Sequence, residues 1–151
     1  MTTLKEVLTA PAQRPKVISD CVGLIDEEVK AKSGISGLAI KGAYAVVKAV
    51  KPGFITEAVD HMLDDFVSKL EPFFERAQVA GQTATIYLTA RPAEVADALL
   101  SISDERATRA KNQTVKKTYE KLRPTGKKHV EAAVPGIGRL IDQHTRGATA
   151  N

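Results

Sequence analysis

Nine basic side chains crowd one short segment of this chain, which we call the basic segment, residues 106–128. They are Arg106, Arg109, Lys111, Lys116, Lys117, Lys121, Arg123, Lys127 and Lys128. Within the segment the only acidic side chain is that of Glu120. Clustered cations raise the local electrostatic potential and attract phosphate groups or an acidic protein surface. The segment is therefore a candidate binding surface.

The formal net charge of +4 hides an asymmetry along the chain. Residues 1–100 hold 11 basic and 13 acidic side chains, whereas residues 101–151 hold 11 and 5. If Val115, Tyr119 and Leu122 face inward on a helix, the basic side chains between them point away together. Those side chains are Lys116, Lys117 and Lys121.

Two other interpretations of the basic segment remain open. Charged runs are usually the solvated face of a helix. Alternatively, the segment is neutralised by an acidic helix, either within one molecule or between two copies packed head to tail. The acidic residues of that helix are Glu57, Asp60, Asp64, Asp65 and Glu71.

A local motif also points to phosphate. The run Val134-Pro135-Gly136-Ile137-Gly138 resembles the hairpin of the helix-hairpin-helix family, whose backbone amides hold a nucleic-acid phosphate. Glycine permits close approach of the backbone, and amides at a helix start favour an anion. The residues that the resemblance implicates are Gly136, Gly138, Lys127, Lys128 and Arg139. The alternative is an ordinary turn between two helices.

Signatures of catalysis and metal binding are sparse. Glu57, His61 and Asp64 or Asp65 could meet on one helical face to hold a metal, but a solvated face with a helical ion pair is the favoured interpretation. No nucleophile elbow, phosphate-binding loop or dinucleotide fingerprint is found. We therefore expect no cofactor and no enzymatic activity.

Composition narrows the class of protein. The 151 residues, 43% of them apolar, suit one domain that buries a core without metal or disulfides. The single cysteine, Cys21, excludes an internal disulfide and favours a reducing compartment. The first residues show no basic stretch followed by an apolar run, as a secretory signal would. These features predict a cytoplasmic protein.

Apolar residues recur at three- and four-residue spacing through most of the chain, which predicts an all-α fold. Two segments are expected at its centre: residues 35–50, which are apolar nearly all round, and residues 54–70. Residues 35–50 are too short for a membrane span and contain Lys41. Residues 83–89 are rich in β-branched side chains and fit a strand, a loop or a helix.

Three prolines are expected to interrupt helices. A proline inside a helix removes one backbone donor and collides with the carbonyl four residues earlier. The sequence therefore predicts a kink or break at Pro72, a helix end before Pro124, and another at Pro135.

The carboxyl-terminal part of the chain resembles a group of small bacterial all-helical proteins of unknown function. The resemblance lies in Tyr119-Glu120-Lys121-Leu122-Arg123-Pro124, Lys128-His129-Val130-Glu131-Ala132-Ala133-Val134-Pro135 and Arg139-Leu140-Ile141-Asp142. It implies a helical fold and a bacterial cytoplasmic setting. It carries no activity over to this chain.

We therefore predict a single all-α domain over residues 1–146, an irregular bundle of five or six helices, followed by a disordered tail at 147–151. The expected function is that of a non-enzymatic cytoplasmic binding or scaffold protein with a protein partner or self-association. The alternative is sequence-independent binding of a nucleic-acid backbone through the basic segment and residues 134–138. An aromatic content of 5% disfavours base stacking. The candidate site residues are Arg109, Lys116, Lys117, Lys121, Arg123, Lys127, Lys128, Gly136, Gly138 and Arg139.

Overall fold

The computed structural model describes residues 3–149, and this part of the chain contains helices and no strand. The helices are α1 (Leu4–Leu8), α2 (Arg14–Ala31), α3 (Gly34–Val50), α4 (Phe54–Val79), α5 (Ala84–Thr89), α6 (Pro92–Arg109) and α7 (Gln113–Thr149). The all-α prediction is confirmed, but the described residues form seven helices rather than five or six. The short α1 has no extended periodicity to reveal it, and the β-branched residues 83–89 adopt the helical alternative as α5.

Local chemistry explains where several helices begin and end. Thr3 caps α1 by accepting a hydrogen bond from the Glu6 amide at 3.1 Å, and the Glu6 carboxylate accepts one from the Thr3 amide at 3.4 Å. The α2 and α6 helices carry a proline in their first turn, where its missing amide costs nothing. Gly53 and Gly81, with φ of 84° and 69°, make the turns before and after α4.

The α7 helix does not end at its prolines as predicted, because it continues through Pro124 and Pro135. The α4 helix also continues through Pro72, which excludes a break there and leaves the kink as the remaining alternative of that prediction. An internal proline costs about 3 kcal/mol, but α7 packs against α1, α2, α5 and α6, and this tertiary packing offsets the loss. The α7 helix also extends into the predicted tail, residues 147–151, as far as Thr149, and the last two residues of that tail lie outside the described range.

The core lies between α4 and the second half of α7. The side chains of Val67 and Val134 are almost completely inaccessible, and the short helices α1 and α5 each contribute a fully buried leucine. These leucines are Leu4 and Leu88. The prediction that residues 54–70 lie at the centre of the bundle is therefore confirmed.

The same prediction for residues 35–50 is wrong. They form α3, which packs against α2 and α4 at the edge of the bundle. Several of its large apolar side chains are exposed: Ile35 at 90%, Leu38 at 71%, Val46 at 61% and Val50 at 79%. A helix with apolar residues on all sides is expected to be buried, but this pattern does not specify which other element buries it. No helix in the described part of the chain is long and apolar enough to cross a membrane.

One close contact joins α5 to α7. The Asp142 carboxylate on α7 accepts hydrogen bonds from the amides of Ala84 and Thr85, at 2.8 and 3.0 Å, and from the Thr85 hydroxyl at 2.6 Å. Amides at a helix start lack hydrogen-bond partners within the helix, and a carboxylate from another helix can supply those partners. Its negative charge also interacts favourably with the positive end of the helix dipole. Asp142 thereby fixes α5 on α7.

The predicted hairpin at residues 134–138 is not formed. Its glycines lie inside α7 and are buried. A Cβ atom at Gly138 would lie 2.6 Å from the Thr85 Cα, and one at Gly136 would lie 2.4 Å from the Leu24 Cδ1. These glycines therefore allow helices to cross closely, and they present no turn of free amides to a phosphate.

Replacing Gly138 by alanine tests this crossing. Because the new methyl group would collide with the α5 backbone, Gly138→Ala should lower the free energy of unfolding by about 1–3 kcal/mol in urea denaturation. Gly126→Ala is the matched control, since a Cβ there meets nothing within 4 Å. It should raise stability by up to about 1 kcal/mol through helix propensity. Equal effects of the two substitutions would contradict the close crossing.

Candidate functional site

Part of the basic segment is paired inside the molecule, with α6. The Arg123 guanidinium contacts both carboxylate oxygens of Asp104, through Nε at 2.7 Å and Nη2 at 2.9 Å. Its Nη2 also lies 3.4 Å from Asp97, and the Lys127 Nζ lies 3.0 Å from the same carboxylate. These pairs fasten the first half of α7 to α6. The charges of Arg123 and Lys127, both predicted to bind a ligand, are thus compensated within the chain.

The pKa values of this cluster reflect the pairing. The hydrogen bond from Arg123 lowers the pKa of Asp104, and the hydrogen bond from Lys127 lowers that of Asp97. The Tyr119 hydroxyl donates a hydrogen bond to Asp104. Burial, together with this bond, raises the pKa of Tyr119. The two carboxylates are therefore ionised at neutral pH, and the Tyr119 hydroxyl stays protonated.

A second set of basic side chains remains free. Lys117, Lys121, Lys128 and Arg139 follow one another at spacings of four, seven and eleven residues, which places them along one side of α7. This set, the outer basic row, lies about 120° around the helix from Arg123 and Lys127 and extends over about 33 Å. All four side chains are exposed, and no carboxylate in the described part of the chain pairs with them. Arg109, near the end of α6, is likewise exposed, whereas Lys116 is half-buried.

The acidic face of α4 does not neutralise the basic segment within the molecule. Asp60 and Asp64 contact Arg14 of α2 instead, at 2.9 and 3.3 Å. The Glu71 carboxylate accepts hydrogen bonds from the first amides of α1, those of Leu4 at 2.8 Å and Lys5 at 3.1 Å. The intramolecular version of that prediction is wrong, because α6 supplies the carboxylates.

The candidate metal ligands Glu57, His61 and Asp65 do not form a site. Among the described residues, no three acidic, histidine or cysteine side chains are placed to hold a metal ion. Glu57 lies 3.6 Å from Lys51, and His61 is exposed to solvent. This face of α4 is solvated and carries an ion pair.

The His144–Asp20 pair and the Cys21 thiol, although chemically reactive types of side chain, lie between packed helices. The His144 Nε2 lies 2.7 Å from an Asp20 carboxylate oxygen, and this nearly buried pair joins α7 to α2. Burial alone would raise the pKa of Asp20, but hydrogen bonds from Lys16 and His144 outweigh it and lower that pKa. Burial also raises the pKa of the Cys21 thiol to about 11, so the thiol stays protonated at neutral pH. Sequence reasoning did not detect the histidine–aspartate pair, because its members are 124 residues apart.

One side of α3 is an apolar face that no other helix in the described part of the chain covers. At 3.6 residues per turn its members fill an arc of about 160° that contains no charged side chain. They are Ile35, Leu38, Ala39, Gly42, Ala43, Ala45, Val46, Ala49 and Val50, and all are exposed. Sequence analysis recognised these residues as apolar but assigned them to the core.

The opposite side of α3 holds the helix in place. The Tyr44 hydroxyl donates a hydrogen bond to the Asp26 carboxylate of α2, and the Lys48 Nζ lies 3.4 Å from the same carboxylate. Burial, aided by Asp26, raises the pKa of Tyr44 to about 12. Gly37 lies so close to the connection between α2 and α3 that an added Cβ would be 2.8 Å from the Lys32 backbone. These contacts orient α3 with its apolar face outward.

Comparison with known proteins places the chain in a family. Residues 4–145 match DUF6918, which is described as a family of unknown function. The chain belongs to this family. The match agrees with the resemblance to an uncharacterised group of helical proteins. Neither the curated proteins nor the solved structures include a significant match to the chain.

The Asp104–Arg123 pair makes the stability of the fold depend on pH in the acid range. Because the pKa of Asp104 is lowered in the folded state, the pair stabilises the fold above the ordinary carboxyl pKa of about 3.9, and this contribution disappears as pH falls through the lowered value. Asp104→Asn should therefore reduce the free energy of unfolding by about 1 kcal/mol at pH 7, a modest figure because the pair is partly exposed.

Urea denaturation between pH 2 and pH 7 measures the effect, and the difference from wild type should shrink towards the acid end. Asp65→Asn is the control, since Asp65 is exposed and has no partner among the described residues. A constant difference at all pH values would contradict the assignment.

Proposed function

We propose that this protein is a non-enzymatic binding or scaffold protein that acts through the apolar face of α3. The carrying observation is the continuous exposed arc of apolar and small residues, which contains no charged side chain. Isolated exposed apolar residues are ordinary, but a contiguous patch with a polar rim is typical of an interaction site.

The energetics support a protein partner. Complete burial of a valine, leucine or isoleucine side chain contributes about 1.5–3 kcal/mol. Leaving Ile35, Leu38 and Val50 in water therefore forgoes several such contributions, which a partner would recover. Because the face belongs to a helix that is already formed and attached to α2 through Tyr44, its backbone need not fold on binding.

We assign the protein to the cytoplasm. The support is its single cysteine, a thiol held protonated by burial rather than joined in a disulfide.

Substitution within the face tests this function. Val46→Glu places a charge inside the arc and should reduce recovery of the bound protein at least about tenfold, equivalent to about 1.4 kcal/mol. Val115→Glu is the matched control, because Val115 is also a half-exposed valine, at 51% against 61% for Val46, but lies on α7.

The measurement is quantitative mass spectrometry of native complexes isolated with tagged wild-type and variant chains, in cells that also make an untagged copy of the chain. A protein or second copy of the chain recovered with wild type and Val115→Glu but lost with Val46→Glu is the expected result. Identical recoveries for all three chains would refute the proposal.

A second candidate function, binding of a nucleic-acid phosphate backbone, is favoured by the outer basic row. Four exposed cations in line, unpaired within the described residues, suit phosphate contacts without base recognition. Glu120 and Glu131 lie between this row and the α6 contact, which weakens its field. For this reason we prefer binding through the apolar face of α3 to nucleic-acid binding as the function of this protein.

Charge reversal separates this second function from nonspecific attraction. Reversal of Lys117, Lys121 and Lys128 to glutamate should strongly weaken duplex DNA binding at low salt and lower the magnitude of the slope of log K against log salt by about 3. Reversal of the exposed lysines Lys5, Lys30 and Lys41 makes the same change in net charge elsewhere and should leave that slope nearly unchanged. Fluorescence anisotropy measures both, and equal losses would eliminate a specific role for the row.

A further inference from the structure

We propose that the partner bound by the apolar face of α3 is the same face of a second copy of this chain, packed antiparallel across a two-fold axis near Gly42. This inference rests on the proposed function and names its partner. A two-fold dimer uses the same patch on both subunits, so the patch must be complementary to itself. Three features of α3 meet this requirement.

The first feature is Gly42 itself. A glycine inside a helix costs about 1 kcal/mol relative to alanine. Gly37, Gly136 and Gly138 are explained by close contacts within the molecule, whereas a Cβ at Gly42, as at Gly23 and Gly126, would meet nothing within 4 Å. Of these three open glycines, Gly42 is the one on α3. Gly42 lies at the middle of the exposed apolar face, where the missing side chain allows a backbone from outside to approach closely.

The second feature is the order of large and small residues. In an antiparallel pair centred on residue 42, the positions i and 84 − i face each other, as follows from the two-fold symmetry. Ile35 then lies opposite the partner's Ala49, and Ala39 lies opposite the partner's Ala45. Small residues therefore meet near the centre, Leu38 lies opposite the partner's Val46 on either side of it, and Ile35 meets a small residue towards each end. The antiparallel arrangement also aligns the helix dipoles favourably.

The third feature is the position of the charges. Lys41 and Lys48 lie about 120–140° around α3 from the centre of the apolar face, so neither points into the contact. Lys48 and Lys51 are moreover paired, with Asp26 and Glu57 respectively, which leaves Lys41 as the one basic side chain of α3 with no carboxylate partner among the described residues. A helix that lies on an anionic membrane carries unpaired basic side chains along its apolar edge. The arrangement in α3 therefore favours a second copy over a lipid surface.

The size of the face sets the expected affinity. The 17 residues of α3 extend over about 26 Å. A single pair of helices of this length makes a small contact compared with the about 1,200–2,000 Å² that stable specific interfaces bury, and smaller contacts are typical of weak complexes. We therefore expect a dimer with a dissociation constant in the micromolar range, on the order of 1–100 µM.

Sedimentation velocity between about 1 and about 500 µM, which brackets that range, tests the proposal. Wild type should shift from monomer to dimer, and Gly42→Leu should weaken dimerisation at least about tenfold. Leucine is both more apolar and a better helix former than glycine, so a merely adhesive surface would associate more strongly after this change. Gly23→Leu is the matched control, because Gly23 is an exposed, open glycine on α2 and should leave dimerisation unchanged.

Disulfide trapping tests the antiparallel register in a Cys21→Ser background. Chains with Ile35→Cys mixed with chains with Ala49→Cys should form the mixed disulfide faster than either homodisulfide, whereas a parallel pair would give homodisulfides. A strictly monomeric wild type, or a dimer strengthened by Gly42→Leu, would overturn the inference.

The failure of this inference is distinguishable from failure of the proposed function. If wild type stays monomeric but Val46→Glu removes a different protein from native complexes, a second copy is excluded and the binding function stands. If wild type stays monomeric and instead binds phosphatidylserine vesicles in a manner lost with Val46→Glu, both proposals are overturned.

Discussion

The close crossing of α5 over α7 is the contact on which the arrangement of the other helices depends. At Gly138 the absence of a side chain brings the two backbones together, and four residues later Asp142 satisfies the free amides of α5. This contact anchors the second half of α7 in the core. Because α7 continues as one helix through Pro124 and Pro135, anchoring one half also directs the other half along α6.

The direction of the first half of α7 along α6 divides the basic side chains of α7 into two sets. Arg123 and Lys127 face the carboxylates of α6 and become part of the structure, because an unpaired charge at a helix contact would be costly. The outer basic row faces water and keeps its charge available. A single helix thus contributes cations to stability on one side and an electrostatic surface on the other, and sequence proximity does not tell these two sets apart.

The α3 helix is the complementary case, a segment with the composition of a core that lies outside the core. The core cluster takes side chains from α1, α2, α5 and α6 beside those of α4 and α7, and none from α3. Tyr44 joins the other side of α3 to Asp26 of α2. The outward face is then available for association, and the open position of Gly42 is consistent with a partner that comes close to the backbone.

The amino-acid sequence by itself determined the features that near neighbours control. Helical periodicity gave the all-α class and the buried face of α4, and prolines in the first turn and positive-φ glycines marked helix boundaries. The tertiary structure decided which faces meet. It placed Gly136 and Gly138 inside a continuous helix, paired Arg123 with Asp104, and left the apolar face of α3 uncovered. The physical reason is range: periodicity and capping act over a few residues, whereas packing depends on the volume and charge that distant segments bring to the same place.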